Sequence, residues 1–158
     1  MRTVIVGNAG SGKSTFARSL AKSAETVILD LDTIFWVPRR VAVKRPASDV
    51  QADLQRFCDE HKTWIIERCY GDLAEKVLVH RPQLIFLNPG ETVCLENCRE
   101  RPWEPHKYAS KEDQDTQLET LLAWVSSYYC REDEMSFKGH RNLFENYDGP
   151  KREIVVQV

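Results

Sequence analysis

Between Val6 and Phe16 the chain reads Gly7-Asn8-Ala9-Gly10-Ser11-Gly12-Lys13-Ser14-Thr15, which sets three glycines, a lysine and hydroxyls at fixed offsets. The spacing satisfies G-x-x-x-x-G-K-[ST] at every fixed position, after an apolar run and before a stretch of helical composition. The chemistry that needs this order is phosphate binding. Phosphate oxygens require several amide N–H groups pointing inward, and Gly7, Gly10 and Gly12 let the backbone wrap closely. The positive end of the following helix adds a favourable field. Lys13 then reaches the β- and γ-phosphates, and the Ser14 hydroxyl ligates Mg²⁺. A glycine turn that only caps a helix explains one or two of the glycines, but not Lys13-Ser14 directly after Gly12. The expected cofactors are ATP (or GTP) and Mg²⁺, enclosed by Gly7, Asn8, Ala9, Gly10, Ser11, Gly12, Lys13, Ser14 and Thr15.

Acids follow the next apolar runs. Asp30 and Asp32 close Val27–Leu29 as Asp-Leu-Asp. In an extended chain residues two apart share a side, so both carboxylates can face one cleft. Asp30 is then a candidate for the Mg²⁺ shell, and Asp32 for accepting the proton of an acceptor hydroxyl. The alternative is that one of them starts a turn or caps the next segment. Glu67 ends Trp64-Ile65-Ile66-Glu67 and is a third candidate for the metal. Arg68 beside it either binds an acceptor anion or pairs with Glu67 or another acid.

Phosphoryl transfer is mostly positioning and charge stabilisation, so arginines near the γ-phosphate are expected. Arg99 and Arg101 stand where a helical stretch meets residues 101–115, a polar segment with two prolines and no apolar periodicity. That segment is the candidate lid, with His106 and Lys107 inside it; a plain surface excursion is the alternative. Arg131 and Arg141 are taken singly as surface charges. Trp36 and Tyr70, just after the second and third apolar runs, either stack on an acceptor ring or pack.

These residues need a scaffold. Short, continuous Val/Ile/Leu runs recur at Thr3–Val6, Val27–Leu29, Trp64–Ile66, Leu84–Leu87 and Ile154–Val156, the pattern of buried parallel strands. Helical stretches lie between them at Lys13–Ser23, Ser48–His61, Leu73–His80, Thr92–Arg101 and Asp115–Arg131. Alternation of this kind implies a doubly wound sheet whose carboxyl edge gathers the functional loops. The polar residues after four of the five runs, Gly7–Gly12, Asp30/Asp32, Glu67/Arg68 and Asn88, should therefore converge.

Length and composition fit this plan. The chain has 158 residues, 42% hydrophobic and 29% charged, which suits one domain over 1–158. A formal charge of −2 argues against a bulk nucleic-acid partner. No apolar run is long enough for a membrane span or a secretory h-region, and the five cysteines are odd in number, so a cytoplasmic location is expected. Cys94 and Cys98 share a helix face but lack the further ligands of a zinc site, so they read as small apolar side chains.

The chain resembles the adenylate-kinase-like P-loop kinases, and more narrowly the small bacterial adenylate-kinase and DNA-topology-modulation-protein-like group. The resemblance rests on Gly7–Thr15, Leu29-Asp30-Leu31-Asp32 with Phe35-Trp36, Trp64–Glu67, Ile85-Phe86-Leu87-Asn88-Pro89, and the stretch bearing Arg99 and Arg101. It implies an α/β, three-layer P-loop NTPase fold with a five-stranded parallel sheet and an arginine-bearing lid, transferring the ATP γ-phosphate to a small-molecule or nucleotide acceptor. Asp30 and Asp32 are also similar to the Asp-x-Asp of shikimate kinases. The chain departs from adenylate kinases after the third strand, where Glu67-Arg68-Cys69-Tyr70 replaces Asp-Gly-Phe-Pro-Arg, and it lacks the Gly-Gly-Gly turn of shikimate kinases. The acceptor is therefore left open. A nucleotide-dependent switch or slow NTPase acting on a macromolecule is the alternative.

Overall fold

The computed structural model describes every residue except 23, 24 and 106. Five parallel strands form the centre: β1 (Arg2–Gly7), β2 (Val27–Asp30), β3 (Trp64–Glu67), β4 (Gln83–Leu87) and β5 (Lys151–Ile154). Their spatial order is β2-β3-β1-β4-β5. The chain passes from β1 to the edge strand β2, returns inward to β3 and then crosses β1 to β4 and β5, so the direction of winding changes at β1. Ligand crevices open at such a reversal, outside the carboxyl ends of the strands.

Successive strand residues point to opposite faces, and both faces are covered. Val4, Val6, Trp64, Ile66, Leu84 and Phe86 pack with Leu54, Ala74, Val77 and Tyr147. Ile5, Ile65, Ile85 and Leu87 pack on the other side with Ala17, against Phe16 and Leu20. Two-sided burial explains why the strands read as continuous apolar runs rather than alternating ones. The helices are α1 (Lys13–Lys22), α2 (Asp32–Phe35), α3 (Ala47–Glu60), α4 (Gly71–Val77), α5 (Glu91–Arg99), α6 (Lys111–Ser127) and α7 (Phe137–Asn146), with a 3₁₀ turn at Leu78–His80. This is the three-layer α/β arrangement the sequence implies.

Several boundaries differ from expectation. The last strand is Lys151–Ile154, not Ile154–Val156. As an edge strand it needs one partner, and its register runs from Leu84↔Lys151 to Leu87↔Ile154, where β4 ends. Val155 and Val156 lie beyond that and are exposed. The sixth helix starts at Lys111 because the Ser110 side chain caps it, accepting from the Asp113 amide at 3.1 Å. Glu112 and Asp113 in its first turn favour the positive helix end. Residues 111–115 of the expected lid are therefore helical, and the connection shortens to 100–110. Two helices were not anticipated. The short α2 begins at Asp32, and α7 follows a fully buried Ser136 whose hydroxyl accepts from the Gly139 amide. Ser23, expected to end the first helix, and His106 of the lid lie outside the described residues.

Candidate functional site

The loop between β1 and α1 sits at the middle of the sheet, flanked by β3 and β4. Gly10 has φ +77° and Gly12 φ +94°, values that side chains other than glycine rarely adopt. A Cβ on Gly10 would also run into the Cys94 carbonyl and the Cys98 sulfur of α5. Cys94 and Cys98 thus pack directly against the loop, and the Asn97 amide donates to the Gly10 carbonyl at 2.8 Å. Asn8 is buried and donates to the Val125 carbonyl of α6 at 3.1 Å. Helices α5 and α6 together hold the outer wall of the loop.

Lys13 opens α1 and folds back over the loop, its ammonium 2.6 Å from the Asn8 carbonyl and 3.5 Å from the Ser11 hydroxyl. It is only 5% exposed, and burial lowers its pKa. Ser14 donates to Glu67 Oε1 at 2.7 Å. Glu67 Oε2 is buried with no hydrogen-bond partner among the described residues. The pair suits a hard cation such as Mg²⁺, which takes oxygen ligands and few protein groups. Thr15 is exposed on α1.

The acids at the end of β2 follow a different course. Strand register sets Asp30 opposite Glu67, which brings Arg68 between the two chains. Arg68 Nε and Nη2 donate to Asp30 Oδ1 and Oδ2, each at 2.7 Å. The same Nε lies 2.9 Å from Asp32 Oδ2. Asp30, expected in the metal shell, instead spends both oxygens on this guanidinium, which supplies the positive charge a metal would otherwise bring. Burial lowers the Arg68 pKa, but Asp32, Glu67 and Asp30 outweigh it, and the net shift is upward.

Asp32 is ringed by donors. Tyr70 gives its hydroxyl proton to Oδ1 at 2.6 Å, and Trp36 Nε1 lies 3.3 Å from the same oxygen. Lys107, from the segment between α5 and α6, reaches Oδ2 at 3.7 Å. Burial opposes the carboxylate charge, yet Arg68 and Lys107 prevail and the Asp32 pKa is lowered. Trp36 and Tyr70 therefore serve Asp32, while Tyr70 stacks on Phe35 at 4.3 Å between centroids. A cleft of about 340 Å³ opens beside this pair, lined by Phe35, Lys44, Val50, Tyr70, Leu73 and Glu134 among others.

Of the two lid arginines, Arg101 is partly buried. It lies 3.4 Å from Glu104 and 3.9 Å from the Cys98 sulfur, close enough for its charge to act on Lys13. Arg99 is exposed at the end of α5. Asn88 turns away from this cluster: it donates to Glu153 at 3.1 Å and accepts from Tyr129 at 2.9 Å. The structure thus joins Lys13, Ser14 and Glu67 in one group and Asp30, Asp32, Arg68, Tyr70, Trp36 and Lys107 in a second beside it. Trp36 and Tyr70, expected to stack on an acceptor ring or to pack, also donate to Asp32, a role their sequence context does not signal. Positions 32 and 36 lie one helical turn apart across α2, and the register of β2 with β3 brings position 70 to them.

A family model described as an AAA domain matches residues 3–103. A comparison with curated proteins finds no match. Among solved structures, the YorR protein from Bacillus subtilis, in complex with phosphorylated GDP, is 13% identical with a TM-score of 0.54, covering 98% of this chain and 85% of its own. An uncharacterized protein from Eubacterium ventriosum is 17% identical at TM-score 0.53, covering 98% and 88%. A shikimate kinase from Bacteroides thetaiotaomicron is 16% identical at 0.51, covering 80% and 78%. At these identities the likeness is one of fold.

Proposed function

The chain belongs to the AAA domain family, and we propose that it is a Mg²⁺-dependent phosphotransferase moving the γ-phosphate of ATP (or GTP) to a small-molecule or nucleotide acceptor. One observation carries this reading. Ser14 meets Glu67 at 2.7 Å beside a buried lysine, and the second Glu67 oxygen has no hydrogen-bond partner among the described residues. A structural turn has no use for that combination, whereas a metal-bound triphosphate does.

Ser14 and Glu67 would hold Mg²⁺, which supplies charge neutralisation across the β- and γ-phosphates. The loop amides at Gly10–Gly12 and the Lys13 ammonium bind the same oxygens, so charge growing on the leaving group meets fixed donors. The acceptor enters the cleft beside Phe35 and Tyr70, and its hydroxyl donates to Asp32. As that oxygen bonds to the γ-phosphorus, its proton passes to the carboxylate. The bond to the β–γ bridging oxygen breaks, and ADP leaves with the electron pair. Arg101 and Lys107 add positive charge from the lid side, and Arg99 is the outermost candidate. We place the chain beside the adenylate-kinase and DNA-topology-modulation-like group, as one domain with a lid at residues 100–110, acting in the cytoplasm. The phosphorylated GDP of the B. subtilis protein and the chemistry of the shikimate kinase belong to those proteins; they support phosphate handling on this scaffold.

The test is calorimetry with Mg·ATP and Mg·GTP, followed by ADP release in the presence of fractionated small-metabolite pools. Association with a triphosphate and acceptor-stimulated release are expected. No association with either triphosphate ends the reading. Slow hydrolysis indifferent to acceptors, with a macromolecule retained in one nucleotide state only, turns it to a nucleotide-dependent switch.

A further inference from the structure

The four residues Glu67 to Tyr70 each answer to a different part of the molecule. Glu67 takes the Ser14 hydroxyl, Arg68 holds Asp30 and Asp32, and Tyr70 holds Asp32. Between them, the Cys69 carbonyl is bound at 2.7 Å by Nε2 of His140, a fully buried residue of α7 that takes no part in the chemistry above. A carbonyl oxygen can only accept, so Nε2 carries the ring proton. Burial lowers the pKa of this imidazole to about 4, so the ring is neutral and Nδ1 is a lone pair. The Tyr128 hydroxyl, 2.8 Å away and buried, therefore donates to Nδ1. The order of donation runs one way: Tyr128 to His140 to Cys69.

This brace is itself anchored. Tyr128 ends α6, and its carbonyl accepts the Phe137 amide at 3.0 Å, tying the end of α6 to the start of α7. Ser136 caps α7, and its hydroxyl donates to the Asp133 carbonyl at 2.6 Å. Gly139 lies so close to the Asp133 and Glu134 backbone that a Cβ there would collide with it, which fixes how α7 approaches. A His serving only to fill the core has no need of a proton acceptor on the turn that aims three site residues.

We infer that His140 is a positioning residue for phosphoryl transfer, fixing the Cys69 carbonyl and thereby the turn from which Glu67, Arg68 and Tyr70 address Ser14, Asp30 and Asp32. The inference rests on the phosphotransferase reading. Loss of the donor strands a buried carbonyl and frees the turn to shift. A displacement of about 1 Å in such a support can lower turnover roughly 100-fold while the phosphate loop, built on β1, keeps its grip on nucleotide.

The test compares wild type, His140→Phe, which keeps ring bulk without a donor, and His140→Gln, which restores one. ATP association is measured by calorimetry, and kcat by ADP release at saturating Mg·ATP with a small-metabolite extract. His140→Phe is expected to lose roughly tenfold or more in kcat with Kd for ATP within about twofold, and His140→Gln to regain most of it. Unchanged kcat in His140→Phe overturns the inference. So does a parallel loss of kcat and ATP affinity that His140→Gln fails to rescue, since a merely structural role predicts that pattern. Should His140→Phe not fold, Tyr128→Phe decides the matter: kcat down by about threefold at constant Kd supports the brace, and constant kcat overturns it. Wild type that binds no ATP, or binds it and releases no ADP, sinks the phosphotransferase reading and this inference together. An active wild type with indifferent variants sinks only the inference.

Discussion

At the carboxyl end of β1 the proposed phosphate site is built of main chain with Lys13 and Ser14, whereas the end of β3 relies on side chains that hold one another. The first region is nine consecutive residues whose conformation is set locally, by left-handed glycines at Gly10 and Gly12 packed against α5. The second draws on Asp30, Asp32, Trp36, Arg68, Tyr70, Lys107, Tyr128 and His140, from five separate stretches of chain. What the difference teaches concerns tolerance. A main-chain cradle accepts most substitutions except at its glycines, Lys13 and Ser14. A side-chain network is exposed to change at every member, but each change leaves neighbours to compensate.

The largest expected effect therefore falls on the cradle's lysine. Lys13→Ala should lower phosphoryl transfer by roughly 100-fold or more, because it removes the buried ammonium of the loop itself from a site shielded from water. Its unfolding midpoint should move by no more than a few degrees, since a buried ammonium contributes little net stability once its desolvation is counted. ADP release and a thermal melt on the same sample check both halves. Turnover that survives intact would break the comparison at its first term.

How much of this was legible in sequence follows the same division. The phosphate loop, the five parallel strands and the pairing of acids at strand ends could be read because each is a local pattern: a motif, an apolar run, a spacing of two. The last strand was misplaced by three residues, because an edge strand takes its register from backbone partners and not from its own valines. The seventh helix went unread although Phe137, His140, Leu143 and Phe144 recur at helical spacing, since a polar run at 131–134 and a histidine obscured the apolar face. Arg68 was visible as a charge, but its grip on two aspartates depends on the alignment of β2 with β3, which no single segment encodes.

Acid should sharpen the comparison by attacking one region before the other. His140 titrates near 4 in the folded protein against an ordinary value of 6.5. The folded state thus binds fewer protons than the unfolded chain within that window. Stability is complete above pH 6.5 and falls as the pH drops towards 4, by roughly 3 kcal/mol in all. Lys13 and Arg131 face the ring and oppose its protonation, while Asp133 and the Cys69 carbonyl favour it. Asp32 is shifted in the same direction, its pKa lowered from an already acid 3.8, so its stability is lost only at more acid pH, below the range His140 governs. Urea denaturation at pH 7.5 and 4.5 should show the loss in wild type and little of it in His140→Gln. Equal slopes in the two proteins would mean that the β3 end has no special sensitivity to acid.

The smallest effect asked of the network tests whether it behaves as one unit. Tyr70→Phe deletes the 2.6 Å bond to Asp32 Oδ1 and the 2.9 Å bond that the hydroxyl accepts from Trp36 Nε1, but keeps the ring stacked on Phe35. Trp36 Nε1 still lies 3.3 Å from that oxygen and Arg68 still holds the other, so the carboxylate is not stranded. The loss should be about 1 kcal/mol, seen as a midpoint lower by roughly 2–4 °C, with turnover down about fivefold and ATP affinity unmoved. Trp36→Phe alone should do less, because its bond to Asp32 is the longer one and Tyr70, which loses only the 2.9 Å bond it accepts from Trp36 Nε1, still donates to the carboxylate. Combined, the two changes leave Oδ1 with neither donor, and the double variant should lose about 1 kcal/mol more than the summed single effects. Strict additivity would show that Asp32 is oriented by Arg68 alone. The aromatic pair would then be packing that happens to touch a carboxylate, and the contrast between a main-chain cradle and a cooperative side-chain edge would lose its second half.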